Sequence, residues 1–119
     1  MLQEMANIDQ GKNAVNKRWF ADLDLDLTVW EHAPNQLWAF QLGYARDRRE
    51  HAVYWQRDQG YRHFGVATAQ RPHNHPVTAD GPFDPIMVAI LFWRRSQKVP
   101  SRLRQQIYFL ILDYRSEPD

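Results

Sequence analysis

Between Trp19 and Trp30 the chain alternates apolar and polar positions. Trp19, Ala21, Leu23, Leu25, Leu27 and Val29 fall on one side of the pattern, and Phe20, Asp22, Asp24, Asp26, Thr28 and Trp30 on the other. A period of two is the signature of a half-buried β-strand. The odd positions are expected to face the core, because a slip of one residue would bury three carboxylates. The run is either one long strand or two strands broken near Ala21–Asp22. Ala33-Pro34-Asn35 is turn chemistry, and Trp38, Phe40, Leu42 and Tyr44 then line one face of the next strand. His51 to Arg57 and Tyr61 to Thr68 read as two more, separated by the tight turn Asp58-Gln59-Gly60. Val77 to Ala79 is a candidate edge strand. Short polar connections between successive strands favour an antiparallel meander.

The period changes at Asp84-Pro85. An Asp at the N-cap followed by Pro at the first helical position starts a helix, expected to run to about Lys98. Arg94, Arg95 and Lys98 suit the negative pole at its end. Val99-Pro100 breaks it, and Ser101 is placed to cap a second helix. Leu103, Ile107, Leu110, Ile111 and Tyr114 form that helix's apolar stripe. A buried strand over Ile107 to Leu112 is the competing assignment; Leu103 and Tyr114 extend the helical period beyond a strand's usual length. So short a break predicts an antiparallel helix hairpin. Leu2, Met5 and Ile8 are spaced by three, so residues 1–16 are read as a short helix or a frayed terminus. The expected architecture is α+β. Residues 17–80 form a four- to five-stranded antiparallel sheet, and a helix pair over residues 84–115 packs on one face of it, all within a single domain spanning residues 1–119.

Composition narrows the class. The chain has 119 residues, no cysteine and a formal net charge of +1. That length suits one domain able to bury its own core. The missing cysteines exclude a disulfide framework, a thiolate nucleophile and a sulfur-rich metal site. The longest apolar run, Ile86 to Trp93, is eight residues, far short of the ~20 of a membrane-spanning helix. The N-terminus carries no signal-peptide pattern, so a cytoplasmic setting is expected. Residues 1–41 hold three basic and six acidic side chains, and residues 42–119 twelve basic and eight acidic. This is a mild dipole, not the basic stripe of a nucleic-acid binder.

The run Arg18-Trp19-Phe20, then Asp24-Leu25-Asp26-Leu27-Thr28-Val29-Trp30, then Phe40-Gln41-Leu42-Gly43-Tyr44, resembles a group of small uncharacterised bacterial proteins. Trp55, Gly60, His63 and the Val99-Pro100 junction extend the resemblance over most of residues 18–114. It implies the same order of elements and a bacterial, cytoplasmic setting, and it implies nothing about chemistry.

Three sets of residues are candidates for function. Asp22, Asp24 and Asp26, read as one face of one strand, repel one another. They must be solvated, paired with cations, or bound to a hard metal such as Mg²⁺, Mn²⁺ or Ca²⁺. An ordinary solvated sheet face is the bland alternative. His63, His73 and His75 contain a His-x-His spacing that suits a metal on a strand, but in a Pro-rich loop it is as readily met by histidines bonded to backbone or water. A shared site is conceivable in which Asp24, Asp26 and Gln41 meet His51 or His63. Arg94, Arg95, Lys98, Arg102 and Arg104 gather at the helix junction as an anion or acidic-partner site, or simply as helix-end charges. Nucleic acid is disfavoured, because only Trp93 accompanies them. No Gly-rich phosphate loop and no Gly-x-Ser-x-Gly elbow is present, and no cofactor is indicated.

The apolar run Ile86 to Trp93 is hydrophobic all round its helix. Such a helix is either buried on several sides or must meet a partner, and a C2 homodimer is the commonest solution. The leading expectation is a non-catalytic binding protein, a homodimer, whose sheet offers an aromatic and acidic surface to a protein or small ligand. The alternative is a metal-binding protein or metal-dependent hydrolase built on Asp24, Asp26 and nearby histidines.

Overall fold

The computed structural model describes residues 1–5, 16–34, 36–44, 50–66, 77–79 and 84–114. Seven strands form one antiparallel sheet in sequence order. They are β1 (Gln3–Glu4), β2 (Asn16–Ala21), β3 (Asp26–Ala33), β4 (Gln36–Tyr44), β5 (His51–Gln56), β6 (Gly60–Val66) and β7 (Val77–Ala79). Two helices follow, α1 (Pro85–Arg95) and α2 (Ser101–Leu112). The α+β class, the meander and the C-terminal helix pair agree with expectation. The strand count exceeds it, because the alternating run is two strands and because short strands add to both edges. Gln3 and Glu4 pair with Ala21 and Phe20, so this part of the expected N-terminal helix is strand.

The break within the alternating run decides which side chains are buried. Asp22 Oδ1 accepts the backbone N–H of Asp24 at 2.8 Å and of Leu25 at 2.7 Å, which folds residues 22–25 into a turn. The hairpin pairs Phe20 with Leu27 and Trp19 with Thr28. Cross-strand partners share a face, so the buried parity changes across the turn. Phe20 is therefore buried and Trp19 is 41% exposed on the opposite face, the reverse of the expected register in β2. Leu23 sits at the turn, 91% exposed, although the pattern placed it inside. Leu25, Leu27 and Val29 are buried as expected.

Ladder registers carry this face across the sheet. Leu27 pairs with Leu42 and Val29 with Phe40; Phe40 pairs with Trp55 and Leu42 with Val53. Gly60 closes the β5–β6 turn with φ 80°, a conformation that suits glycine. Both helices pack on this side, adding Val88, Ala89, Phe92, Leu103, Ile107 and Ile111 to one continuous core. A fully buried aliphatic or phenyl side chain contributes roughly 1.5–3 kcal/mol, so these contacts are what seat the helices.

Asp84 caps α1 as expected, its Oδ1 accepting Met87 N–H at 3.1 Å ahead of Pro85. The helix stops at Arg95, earlier than Lys98, because Ser96 leaves helical geometry and Val99 N–H turns back to the Ser96 carbonyl. Pro100, not Ser101, is the N-cap of α2, and no side chain caps it. Trp93, near the end of α1, meets Arg104 and Tyr108 of α2, so the two helices form the expected hairpin.

Candidate functional site

The acidic candidates do not share a strand face. Asp22 and Asp24 belong to the β2–β3 turn, and only Asp26 lies in β3. Besides its two backbone bonds, Asp22 directs Oδ2 to the Met1 ammonium at 3.1 Å and to Arg95 at 3.5 Å. Asp24 pairs with the same Arg95 guanidinium. Burial alone would push the Asp22 carboxyl up. The N–H groups of Leu25 and Asp24 and the ammonium outweigh it and hold the group below the ordinary carboxylate range. Asp26 faces away from the helices and accepts Trp19 Nε1–H at 2.9 Å. This turn is a latch: it ties β2, β3 and the N-terminal strand to the end of α1, where Leu2 N–H also reaches the Arg95 carbonyl at 2.7 Å.

The imagined site joining Asp24, Asp26 and Gln41 to a histidine is not assembled. Asp26 and Gln41 occupy one face of the sheet, whereas the ladder puts His51 beside Tyr44 and His63 beside Val53 on the helix side. The period of two separates them, and the sheet lies between. His63 Nε2 is 2.6 Å from Tyr44 Oη. The rings of Tyr44, His51 and His63 stack with centroids 5.5–6.0 Å apart, and Tyr114 meets His63 edge-on. Burial pushes the Tyr44 phenol up to about 12, with Tyr114 and Asp84 acting in the same direction. His73 and His75 lie outside the described residues. Among the described residues, no three His, Asp or Glu side chains are grouped as a metal would need.

The basic candidates divide in two. Arg95 and Arg104 are structural. Arg104 donates to Ser96 Oγ at 3.0 Å and to the Trp93 carbonyl at 2.6 Å, and its guanidinium lies 3.5 Å from the Trp93 ring centroid. It thus satisfies the C-terminal carbonyl and hydroxyl of α1 from the neighbouring helix. Arg94, Lys98 and Arg102 are exposed and form no ion pair among the described residues.

Two buried carboxylates, Glu31 and Glu50, escaped the sequence reading. Glu31 is 1% exposed and 3.5 Å from Arg18. Arg18 in turn grips Glu4 with two 2.8 Å bonds, and that hydrogen bonding holds the Glu4 carboxyl below its ordinary range. Glu31 follows Leu27 and Val29 in the odd register, so the alternation itself pointed it inward.

The outer face of the helix pair is the remaining feature. α1 buries Val88, Ala89 and Phe92, leaving Ile86 at 63%, Met87 at 58% and Ile90 at 45% exposed. Trp93 continues the stripe, and Tyr108 links it to exposed Phe109. An open depression of about 450 Å³ beside Phe109, lined by Leu110, Leu112 and Asp113, belongs to the same helix pair. The sheet's other face carries Trp19, Trp30 and Tyr54. Trp30 and Tyr54 meet edge-on at 6.2 Å, and Lys17 Nζ lies 5.9 Å from the Trp30 centroid. No helix among the described residues is long and apolar enough to cross a membrane. Comparison with protein-family models, curated proteins and solved structures finds no match to this chain.

Proposed function

We propose that this protein is a non-catalytic binding module of a bacterial cytoplasm, acting as a homodimer and docking through the outer face of its helix pair. The observation that carries this reading is the exposure of Ile86, Met87 and Ile90 on one side of a single helix. With Trp93 and Phe109 they leave on the order of 500 Å² of apolar side chain in water, near the upper end for a monomer's largest patch. The ionisable candidates support binding over catalysis. Asp22, Asp24, Asp26, Arg95 and Arg104 are each bonded to another protein group, in contacts that hold the turn and the helix hairpin together. A metal-dependent hydrolase would need Asp24 and Asp26 in one site, yet one faces Arg95 and the other Trp19. The aromatic and acidic face of the sheet, with Trp19, Trp30, Tyr54 and Asp26, is the second surface this reading assigns to a protein or small ligand.

Light scattering on the eluting protein tests the reading. A mass of twice the monomer at micromolar concentration, together with a flat melting temperature across Mg²⁺, Mn²⁺, Ca²⁺, Zn²⁺ and Ni²⁺, is expected. A monomer, or a specific cation shift lost in the Asp24→Ala/Asp26→Ala double variant, refutes it.

A further inference from the structure

We propose that the outer face of the helix pair seats this protein on an anionic lipid surface, the apolar stripe entering the headgroup layer and the basic residues of the helix junction meeting the phosphates around it. This rests on the docking role given to that face above and adds an occupant: lipid competes with a second copy for the same stripe. Residues 85–112 hold five basic side chains and no acidic one, although the whole chain is only +1. The remaining residues therefore carry a net −4, and the molecule is polarised between a positive helix layer and a negative remainder. An anionic plane orients such a molecule helix side down before contact is made.

The unengaged charge borders the apolar surface. Arg95 is held by Asp22 and Asp24, and Arg104 by Trp93 and Ser96. Arg94, Lys98 and Arg102 are exposed and form no ion pair among the described residues. Ile86, Ile90 and Arg94 are spaced by four along one side of α1, and Arg102, Gln105 and Phe109 line the exposed side of α2. The flanking carboxylates, Asp84 and Asp113, cap the other end of the hairpin, away from the junction. Trp93 stands between Ile90 and Arg94, at the boundary of apolar and basic positions, where an indole suits the headgroup layer. Long Arg and Lys side chains lay their stems on apolar surface while their charges reach the phosphates. No helix among the described residues is long and apolar enough to cross a membrane, whereas an amphipathic helix with a basic border lies in the interface plane. Nucleic acid would meet the cations and leave Ile86, Met87 and Ile90 uncovered. A bilayer supplies countercharge and hydrocarbon together, across both helices, without needing a matching shape.

Co-flotation with vesicles tests this. Binding is expected to phosphatidylcholine vesicles containing phosphatidylglycerol, not to phosphatidylcholine alone, and it should be lost at about 0.5 M salt, where charge is screened within a few ångströms. The Arg94→Gln/Lys98→Gln/Arg102→Gln variant and, separately, Ile90→Asp are each expected to weaken partition by more than about tenfold while remaining folded by circular dichroism. No binding to the mixed vesicles, equal binding to both kinds, or a triple variant that binds like wild type overturns the proposal. So does undiminished binding of Ile90→Asp, which would mark the purely electrostatic contact that nucleic acid or an acidic protein gives. Light scattering keeps the two readings apart. A solution monomer that binds the mixed vesicles overturns the homodimer alone, and a solution dimer that stays off them overturns lipid docking alone.

Discussion

Replacing Asp22 by alanine separates a latch from a metal site. The substitution removes the acceptor for two backbone N–H groups, those of Asp24 and Leu25, and a counterion of Arg95. Losing a capping carboxylate costs about 0.5–2 kcal/mol, and a half-exposed ion pair adds up to about 1 kcal/mol. The expected loss is therefore about 2 kcal/mol, or roughly 6–12 °C in melting temperature for a domain of this size. Asp22→Asn retains an oxygen for the turn and loses the charge, so it should cost about half as much. Urea unfolding at pH 7 in EDTA provides the measurement. A cluster of mutually repelling carboxylates waiting for a cation would respond in the opposite direction: without metal, neutralising one member relieves repulsion and stabilises. An Asp22→Ala variant as stable as wild type, or more so, would refute the latch. The pH dependence has a definite sign. The folded carboxyl titrates below its unfolded value, so the charge-dependent part of the difference between wild type and variant is fully present above about pH 4 and is lost as pH falls through the depressed folded value.

Arg104→Lys keeps the charge but loses the planar stack on Trp93 and the paired bonds to Ser96 Oγ and the Trp93 carbonyl; a loss of about 1–2 kcal/mol in urea is expected, and a neutral result would remove the clamp. Tyr44, raised to about 12, should appear as a late-ionising tyrosine in ultraviolet titration. Its contribution to stability should be constant below about pH 10 and be lost as pH rises from 10 through 12, a trend absent in Tyr44→Phe. Gly60→Ala places a Cβ at φ 80° and should cost about 1–2 kcal/mol by thermal melting.

Periodicity made the architecture legible, because one-sided burial fixes a period-two pattern in strands and a wider stripe in helices. Leu27, Val29, Phe40 and Leu42 are buried as their spacing required. The turn at Asp22 was the point of failure. Unbroken alternation looks the same whether a chain continues straight or folds back, and folding back through the four-residue turn 22–25 inverts the parity of everything before it. Two cues lay in the sequence: Asp is a turn former whose carboxylate bonds to the backbone two residues on, and the odd register carried Trp19 and Leu23 while the even one carried Phe20. The candidate site was less legible because charge alone does not say what a charge faces. Asp22 and Arg95 are 73 residues apart and meet only when the N-terminal strand and α1 close on each other.

Charge and apolar surface are partitioned differently in this fold, and that partition leads from stability to function. The carboxylates of Asp22, Asp24 and Glu31 are balanced by Arg95 and Arg18, and the α1 terminus by Arg104. These groups are committed to holding strands and helices together, so using them on a ligand would loosen the fold. The outer stripe of α1 carries no such commitment. Val88, Ala89 and Phe92 already anchor the helix, so Ile86, Met87 and Ile90 contribute little to the folded monomer while leaving apolar surface in water. Substituting Ile90 by a charged residue should therefore change association far more than unfolding, whereas substituting Phe92 should do the reverse, at about 3–5 kcal/mol for Phe92→Ala. Two positions two residues apart on one helix, read by light scattering and by urea, thus distinguish the proposed docking surface from a core that builds the protein.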